Sequence, residues 1–384
     1  MTAIDGGIRT THTGSLPRPA EVIELLAARE HGELSPEREA GFEATIAEAT
    51  DAVVRRQIET GIDIINDGET GKISYSVYVK DRLTGFGGEA GNEPAADIRD
   101  FPTYLDRYLS VNYRRAFSTP ACIGPVSYRD AAAIERDLQL MSDALAANGK
   151  LPGDAFISAA SPGVISHFLK NQYYPSHEAY LEALAEAMKT EYEAIYRAGF
   201  TLQIDCPDLA GGRHFQFPDL SLPEWRAIAA LHIDALNYAT AGIPPERMRM
   251  HLCWGNYEGP HHRDVPLRDI VDLILTARPA TISFEAANPR HAHEWSVWAD
   301  IELPDEKSLM PGVIDSTTNY IEHPELVAER LRNFANIVGP DRVIGATDCG
   351  LSTFAGLSAV DPEIAWAKLG SLVEGARIAS TYFS

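Results

Sequence analysis

Met250-His251-Leu252-Cys253-Trp254, Ser283-Phe284-Glu285 and Thr347-Asp348-Cys349-Gly350 each close an apolar run that reads as a β-strand. Strand ends of this kind converge at one end of a parallel barrel, where they offer an imidazole, a carboxylate and two thiolates, a set suited to tetrahedral zinc. His251 and Cys253 are two positions apart on a strand and so point to the same face. A single carboxylate at a strand end often caps the next helix, and a single cysteine is usually a small buried apolar residue. The coincidence of His-x-Cys with two further soft or anionic groups favours the metal.

Working outward, apolar runs alternate with stretches of helical period, the pattern of repeated βα units. The strand candidates are Ile8 to Gly14, Ile62 to Asp67, Ala155 to Ala160, Thr201 to Asp205, Met248 to Cys253, Ala280 to Glu285, Met310 to Asp315 and Val343 to Asp348. Eight closes a barrel, so the expected fold is α/β, a single (β/α)8 TIM-barrel domain over residues 1–384. Ser35-Pro36 opens a helix that Gly61 stops, a second runs from about His177 to Gly199, and Pro223 and Pro324 open two more. A ninth apolar run, Pro120 to Val126, and the Gly- and Asp-rich segment Thr84 to Asp100 lie between the second and third barrel strands. They read as an inserted excursion over the barrel mouth.

Composition narrows the function. With 33 basic against 55 acidic side chains the formal charge is −22, which repels phosphate backbones and anionic lipid and argues against nucleic-acid or membrane partners. The opening residues have no cationic start followed by an apolar core, and no stretch is long enough to span a bilayer. These features place the chain in the cytoplasm, where its four cysteines, Cys122, Cys206, Cys253 and Cys349, stay reduced.

The order of motifs resembles the catalytic barrel of cobalamin-independent methionine synthases. The similarity runs through Thr13-Gly14-Ser15-Leu16-Pro17, Asp67-Gly68-Glu69, Gln203-Ile204-Asp205, His251-x-Cys253, the Glu285 strand, Pro311-Gly312-Val313-Ile314-Asp315 and Asp348-Cys349-Gly350-Leu351. It implies a zinc cofactor held by His251, Cys253, Glu285 and Cys349. It further implies a pocket for a small-molecule thiol, with Thr13, Gly14 and Ser15 on a carboxylate and Glu69 and Asp205 on an amino group. The activity implied is zinc-dependent S-alkylation of a thiol by an alkyl donor, foremost S-methylation of homocysteine to methionine.

The sequence also departs from that pattern. Thr317 stands where the family carries a histidine that handles a proton, and Cys206 replaces an acidic residue. His291 and His293 either supply that proton transfer from the barrel mouth or only bond neighbouring backbone. His261-His262 reads as an exposed loop pair and Cys206 as a spectator. The chain also resembles epoxyalkane:coenzyme M transferase, in which a thiolate opens an epoxide. That thiol's sulfonate would need a cation, with Arg18, Lys72, Arg213 and Arg290 as candidates; retention of Glu69 and Asp205 favours an amino-acid thiol. A metal-free decarboxylase of the uroporphyrinogen type leaves the His-x-Cys and Asp-Cys-Gly elements without a role, and a purely structural zinc site would be closed to substrate.

Overall fold

Seven parallel strands form one curled sheet in the order β1-β9-β8-β7-β6-β5-β4. They are β1 Arg9–Thr10, β4 Phe156–Ala160, β5 Thr201–Asp205, β6 Met248–His251, β7 Thr281–Glu285, β8 Ser308–Ile314 and β9 Ile344–Thr347, while β2 Phe86–Gly87 and β3 Ala121–Cys122 pair antiparallel in a sheet of their own. The computed structural model describes residues 7–91, 93–112, 118–129 and 131–383; the opening of the chain, residues 1–6, lies outside them. Strands β4 to β9 are buried along almost their whole length, which is why they read as near-continuous apolar runs.

Seven of the eight anticipated barrel strands appear within a few residues of their expected bounds. The exception is Ile62 to Asp67, which makes only a single parallel bridge, Ile65 to Ala155. Its backbone still bonds to both sides, Ile64 N to Thr10 O at 3.1 Å and Phe156 N to Ile65 O at 3.0 Å. A regular ladder fails because side chains take the places of strand partners. Gln57, on the preceding helix, accepts from Asn66 N at 3.0 Å and donates to Asn66 O at 2.8 Å, and Asp63 turns back to accept from Thr10 N at 2.7 Å.

The helices follow their punctuation. Pro36–Thr60 starts at Ser35, whose hydroxyl accepts from Arg38 N, and ends at Gly61, a cap that contributes about 1 kcal/mol. His177–Arg197, Leu222–Ala239 and Pro324–Val338 begin after Ser176, Ser221 and His323. Among the described residues no helix is long and apolar enough to cross a membrane. The segment between Thr84 and Tyr128 carries β2 and β3, and its residues Glu93, Ile98, Arg99, Tyr104 and Tyr108 line one side of a large cavity. The other walls of that cavity are the C-terminal ends of the main sheet.

Candidate active site

The cavity has a volume of about 1420 Å³, and its inner end holds two chemically unlike groups of side chains. On one side stand β6 and the turn after β9. Ligand atoms of His251, Cys253 and Cys349 lie within 4.8 Å of one another, all three residues buried, and the two Sγ atoms are 2.8 Å apart. Ser283 Oγ lies 3.0 Å from His251 Nδ1, which fixes the ring and leaves Nε2 for the metal. Gly255 N donates to Cys253 Sγ at 3.2 Å.

Glu285 stands beside this group rather than in it. Its Oε1 is 3.8 Å from Cys349 Sγ and accepts from Trp254 N at 2.7 Å, while Oε2 accepts from Asn288 Nδ2 at 3.0 Å. Asp348 anchors the loop that carries Asn288. Its carboxylate accepts from the amides of Ala286, Ala287 and Asn288 at 2.8, 2.9 and 2.6 Å.

The electrostatics suit cation binding. Burial, aided by the charge of Arg249, holds the His251 imidazole down to about 3, so the ring is in its neutral, ligating form. The hydrogen bond with Cys349 pulls the Cys253 thiol down, yet burial and the Glu285 charge together lift it to about 11. Burial and then Cys253 push the Cys349 thiol well above its ordinary value. Without a cation both sulfurs keep their protons; a dication would displace them. Two thiols and an imidazole at these separations fit zinc.

The opposite side is built by the turns after β1, after Ile65 and after β5. Ser15 Oγ and Glu69 Oε2 are buried without a hydrogen-bond partner, although both residues line the cavity. Glu69 adopts a left-handed backbone, φ 55°, uncommon outside glycine. Arg18 holds it there by donating to Glu69 O at 2.8 Å, Lys72 O at 3.1 Å and Ser352 O at 2.6 Å. Glu69 Oε1 accepts from Ser158 Oγ at 2.7 Å and presses on Gly14, where a Cβ would come within 2.7 Å of it. Burial raises the Glu69 carboxyl, opposed by Lys72 and Arg18. Burial and then the Glu69 charge raise Asp205 well above the carboxylate range.

Beneath both groups runs a polar layer that the strand reading passed over. Arg249, two residues before His251 and therefore on the same inward face, donates to Gln203 Oε1 at 2.7 Å, Thr11 Oγ1 at 3.1 Å and His12 O at 2.9 Å. Gln203 then donates to Asp205 Oδ1 at 2.8 Å and to Thr13 O. The period of two along a strand is the signal that could have found Arg249. Tyr75 was also missed. It lines the cavity, and burial followed by the charges of Cys253, Asp205, Cys349 and Asp208 keeps its phenol protonated.

Other expected positions lie elsewhere. His291 is buried with both ring nitrogens engaged, Nε2 with Asp264 and Nδ1 with Glu294, each at 2.8 Å. Burial favours its neutral ring, but these two bonds outweigh it and lift His291 to about 10. His293 is exposed, and neither histidine lines the cavity. His261 is buried, not exposed: it bonds Asp264 at 2.9 Å and stacks on Tyr257, whereas His262 is on the surface. Thr317 lines the cavity, with its hydroxyl donated to Asp315 at 2.8 Å. Cys206 is buried outside the cavity wall, bonded to Ile204 O. Arg18, Lys72, Arg213 and Arg290 bond backbone carbonyls, and none of the four lines the cavity.

No family model matches the chain. A methionine synthase of Thermococcus kodakarensis is 26% identical over 370 residues, covering 96% of this chain and 92% of that protein. One of Saccharolobus solfataricus is 24% identical over 372 residues, covering 96% and 94%. The chain is thus similar over nearly its whole length to proteins named methionine synthase. Among solved structures, a B12-independent methionine synthase from a Shewanella species, solved with selenomethionine, shares the fold with a TM-score of 0.72 at 21% identity, covering 98% of this chain and 99% of that one. A Listeria monocytogenes protein described as a vitamin-B12-independent methionine synthase gives 0.62 at 19% identity, covering 97% and 98%.

Proposed function

We propose that this chain is a zinc-dependent thiol alkyltransferase that methylates the sulfur of homocysteine. The observation that carries the reading is the sharing of one cavity by two thiols and an imidazole with the unpartnered Ser15 Oγ and Glu69 Oε2. In this reading the sheet and the segment 62–67 make a (β/α)8 barrel, with the Thr84 to Tyr128 segment an excursion over its mouth and the whole chain one catalytic domain.

His251 Nε2, Cys253 and Cys349 would hold the metal, and Glu285, kept beside them by Trp254 N and Asn288, would be a further donor. Zinc held there supplies the positive charge that keeps a substrate sulfur as thiolate at neutral pH. The turn Thr13 to Ser15 receives the substrate carboxylate, and Glu69 with Asp205 receives its ammonium group. Burial raises both carboxyls, and an ammonium group between them favours their ionised form. Arg18 and the Arg249–Gln203 pair hold these acceptors in place, so the chain's own contribution is largely alignment of sulfur with the donor carbon. The names of the full-length relatives support the methyl group as the alkyl unit transferred. The commitment of Arg18, Lys72, Arg213 and Arg290 to backbone carbonyls argues against a sulfonate thiol.

X-ray absorption at the zinc edge tests the proposal. Homocysteine is expected to add one sulfur neighbour to the loaded enzyme, and coenzyme M is not. Thiol consumption with methyltetrahydrofolate, its polyglutamates or small epoxides identifies the donor. An unchanged zinc shell in the presence of homocysteine overturns the assignment.

A further inference from the structure

A second line of side chains leaves the cavity at the end of β5. The turn Pro207–Leu209 sets Asp208 in the cavity wall. Its Oδ1 accepts from Ser161 Oγ at 2.7 Å, and its Oδ2 lies 2.9 Å from Nδ1 of His232. His232, on the helix Leu222–Ala239, is 2% exposed, and its Nε2 is 2.8 Å from Nε2 of His177. His177 is the first residue of the helix His177–Arg197 and is half-buried at the protein surface. Three titratable groups thus run in unbroken hydrogen-bond contact from cavity to solvent.

The packing is specific to this line. A Cβ on Gly163 would stand 2.0 Å from Asp208 Oδ2 and 2.6 Å from His232 Nδ1, so the helix Pro162–Phe168 is pressed against the pair and keeps water off it. The edges of Trp225 and Phe217 pack on the two imidazole rings. Acceptance by Asp208 assigns the proton of a neutral His232 to Nδ1, which makes its Nε2 the acceptor and His177 Nε2 the donor. Burial and then the neighbouring His232 hold His177 down to about 4, so the His177 ring is neutral at pH 7. Donors and acceptors therefore point one way along the line.

We propose that His177, His232 and Asp208 form a proton relay between bulk solvent and the cavity, a role that rests on the thiol-alkylation reading of the neighbouring site. Alkylation, R′SH + R–X → R′S–R + HX, takes a proton from sulfur and gives one to the leaving group. Inward, His177 takes a proton from water at Nδ1 and passes its Nε2 proton to Nε2 of His232, which passes its Nδ1 proton to Oδ2 of Asp208. Both rings end neutral in the other tautomer, and one proton has reached the cavity wall. The reverse hops export the proton of the bound thiol. His291 and Thr317 do not compete for this role, being tied to Asp264 and Glu294 and to Asp315.

The deciding measurement does not need turnover. In ¹⁵N-histidine NMR spectra of the zinc-loaded protein, His177→Gln, which can still donate to His232 but cannot relay, is expected to slow exchange of the His232 Nδ1 proton with water by at least about tenfold. Equal exchange in wild type and His177→Gln overturns the relay. In turnover, His177→Gln should lose about a hundredfold in kcat, with KM and zinc content unchanged and partial rescue by added imidazole. Slowed exchange with wild-type turnover overturns the catalytic use of the relay. Slowed exchange in an enzyme whose wild type alkylates no thiol keeps the relay and removes only the alkyltransferase reading. His177→Asn is a second variant with the same expected outcomes should His177→Gln fail to fold.

Discussion

The two ends of the inner cavity meet their polar requirements in opposite ways. Around Cys253 and Cys349 the side chains brace one another or their surroundings: sulfur to sulfur, His251 Nδ1 to Ser283, Glu285 to Trp254 and Asn288. Around Glu69 the side chains are held just as firmly by Arg18 and Ser158, yet Ser15 Oγ and Glu69 Oε2 are left without partners. The first end is a soft set that exchanges protons for a cation. The second is a rigid acidic cradle whose missing partners describe the ligand: a group that accepts from a hydroxyl and one that carries positive charge.

The strongest way to break this comparison is to remove a sulfur. Cys253→Ser and Cys349→Ser are each expected to lose bound zinc by elemental analysis and about a thousandfold or more in thiol alkylation; a metal-free, active variant would refute the assignment. The acidic end should respond differently. Glu69→Gln and Asp205→Asn each remove a charge-assisted contact and should raise KM for homocysteine about 10- to 100-fold while zinc content stays at the wild-type level. Loss of zinc in either variant would mean that the two ends are not separable.

Ser283→Ala sharpens the soft end. Without its hydroxyl the His251 ring loses its orientation, and chelator competition should show zinc affinity falling by about tenfold. The smallest effect expected is on stability. His291, lifted to about 10 by Asp264 and Glu294, binds its proton more tightly folded than unfolded, where histidine titrates near 6.5. Its contribution is fully present below pH 6.5 and is lost as pH rises toward 10. Wild type should therefore lose about 5 °C in Tm across that window relative to His291→Gln. Parallel pH curves for the two proteins would show that His291 carries no linkage.

Which parts were legible in the sequence follows from the range of the interactions. Strands β4 to β9 are buried on both faces, so apolar runs reported them within a few residues. The convergence of His251, Cys253 and Cys349 followed from parallel strands ending at one mouth of the curled sheet, although β7 and β8 stand between β6 and β9. Ile62 to Asp67 had the same apolar pattern but became a single bridge because Gln57 competes for the backbone of Asn66, a contact invisible to periodicity. His291 was left between two readings, and His261 was read as exposed although it is buried, for a similar reason. Asp264 bonds His261 three residues before it and His291 from a separate segment, and only the fold shows that one carboxylate serves both. Arg249 was overlooked although the period of two along β6 puts it on the face of His251, and Tyr75 because only the assembled cavity shows what it faces.

Asp348 gathers three consecutive amides from the loop after β7 onto the residue next to Cys349. This joins two distant stretches of chain like a rivet, so the spacing from Glu285 to Asn288 is fixed to the residue. Length changes in that connection are tolerated only beyond Asn288, and a one-residue insertion before it would unseat a sulfur at the end of β9, two strands away, without touching that strand itself.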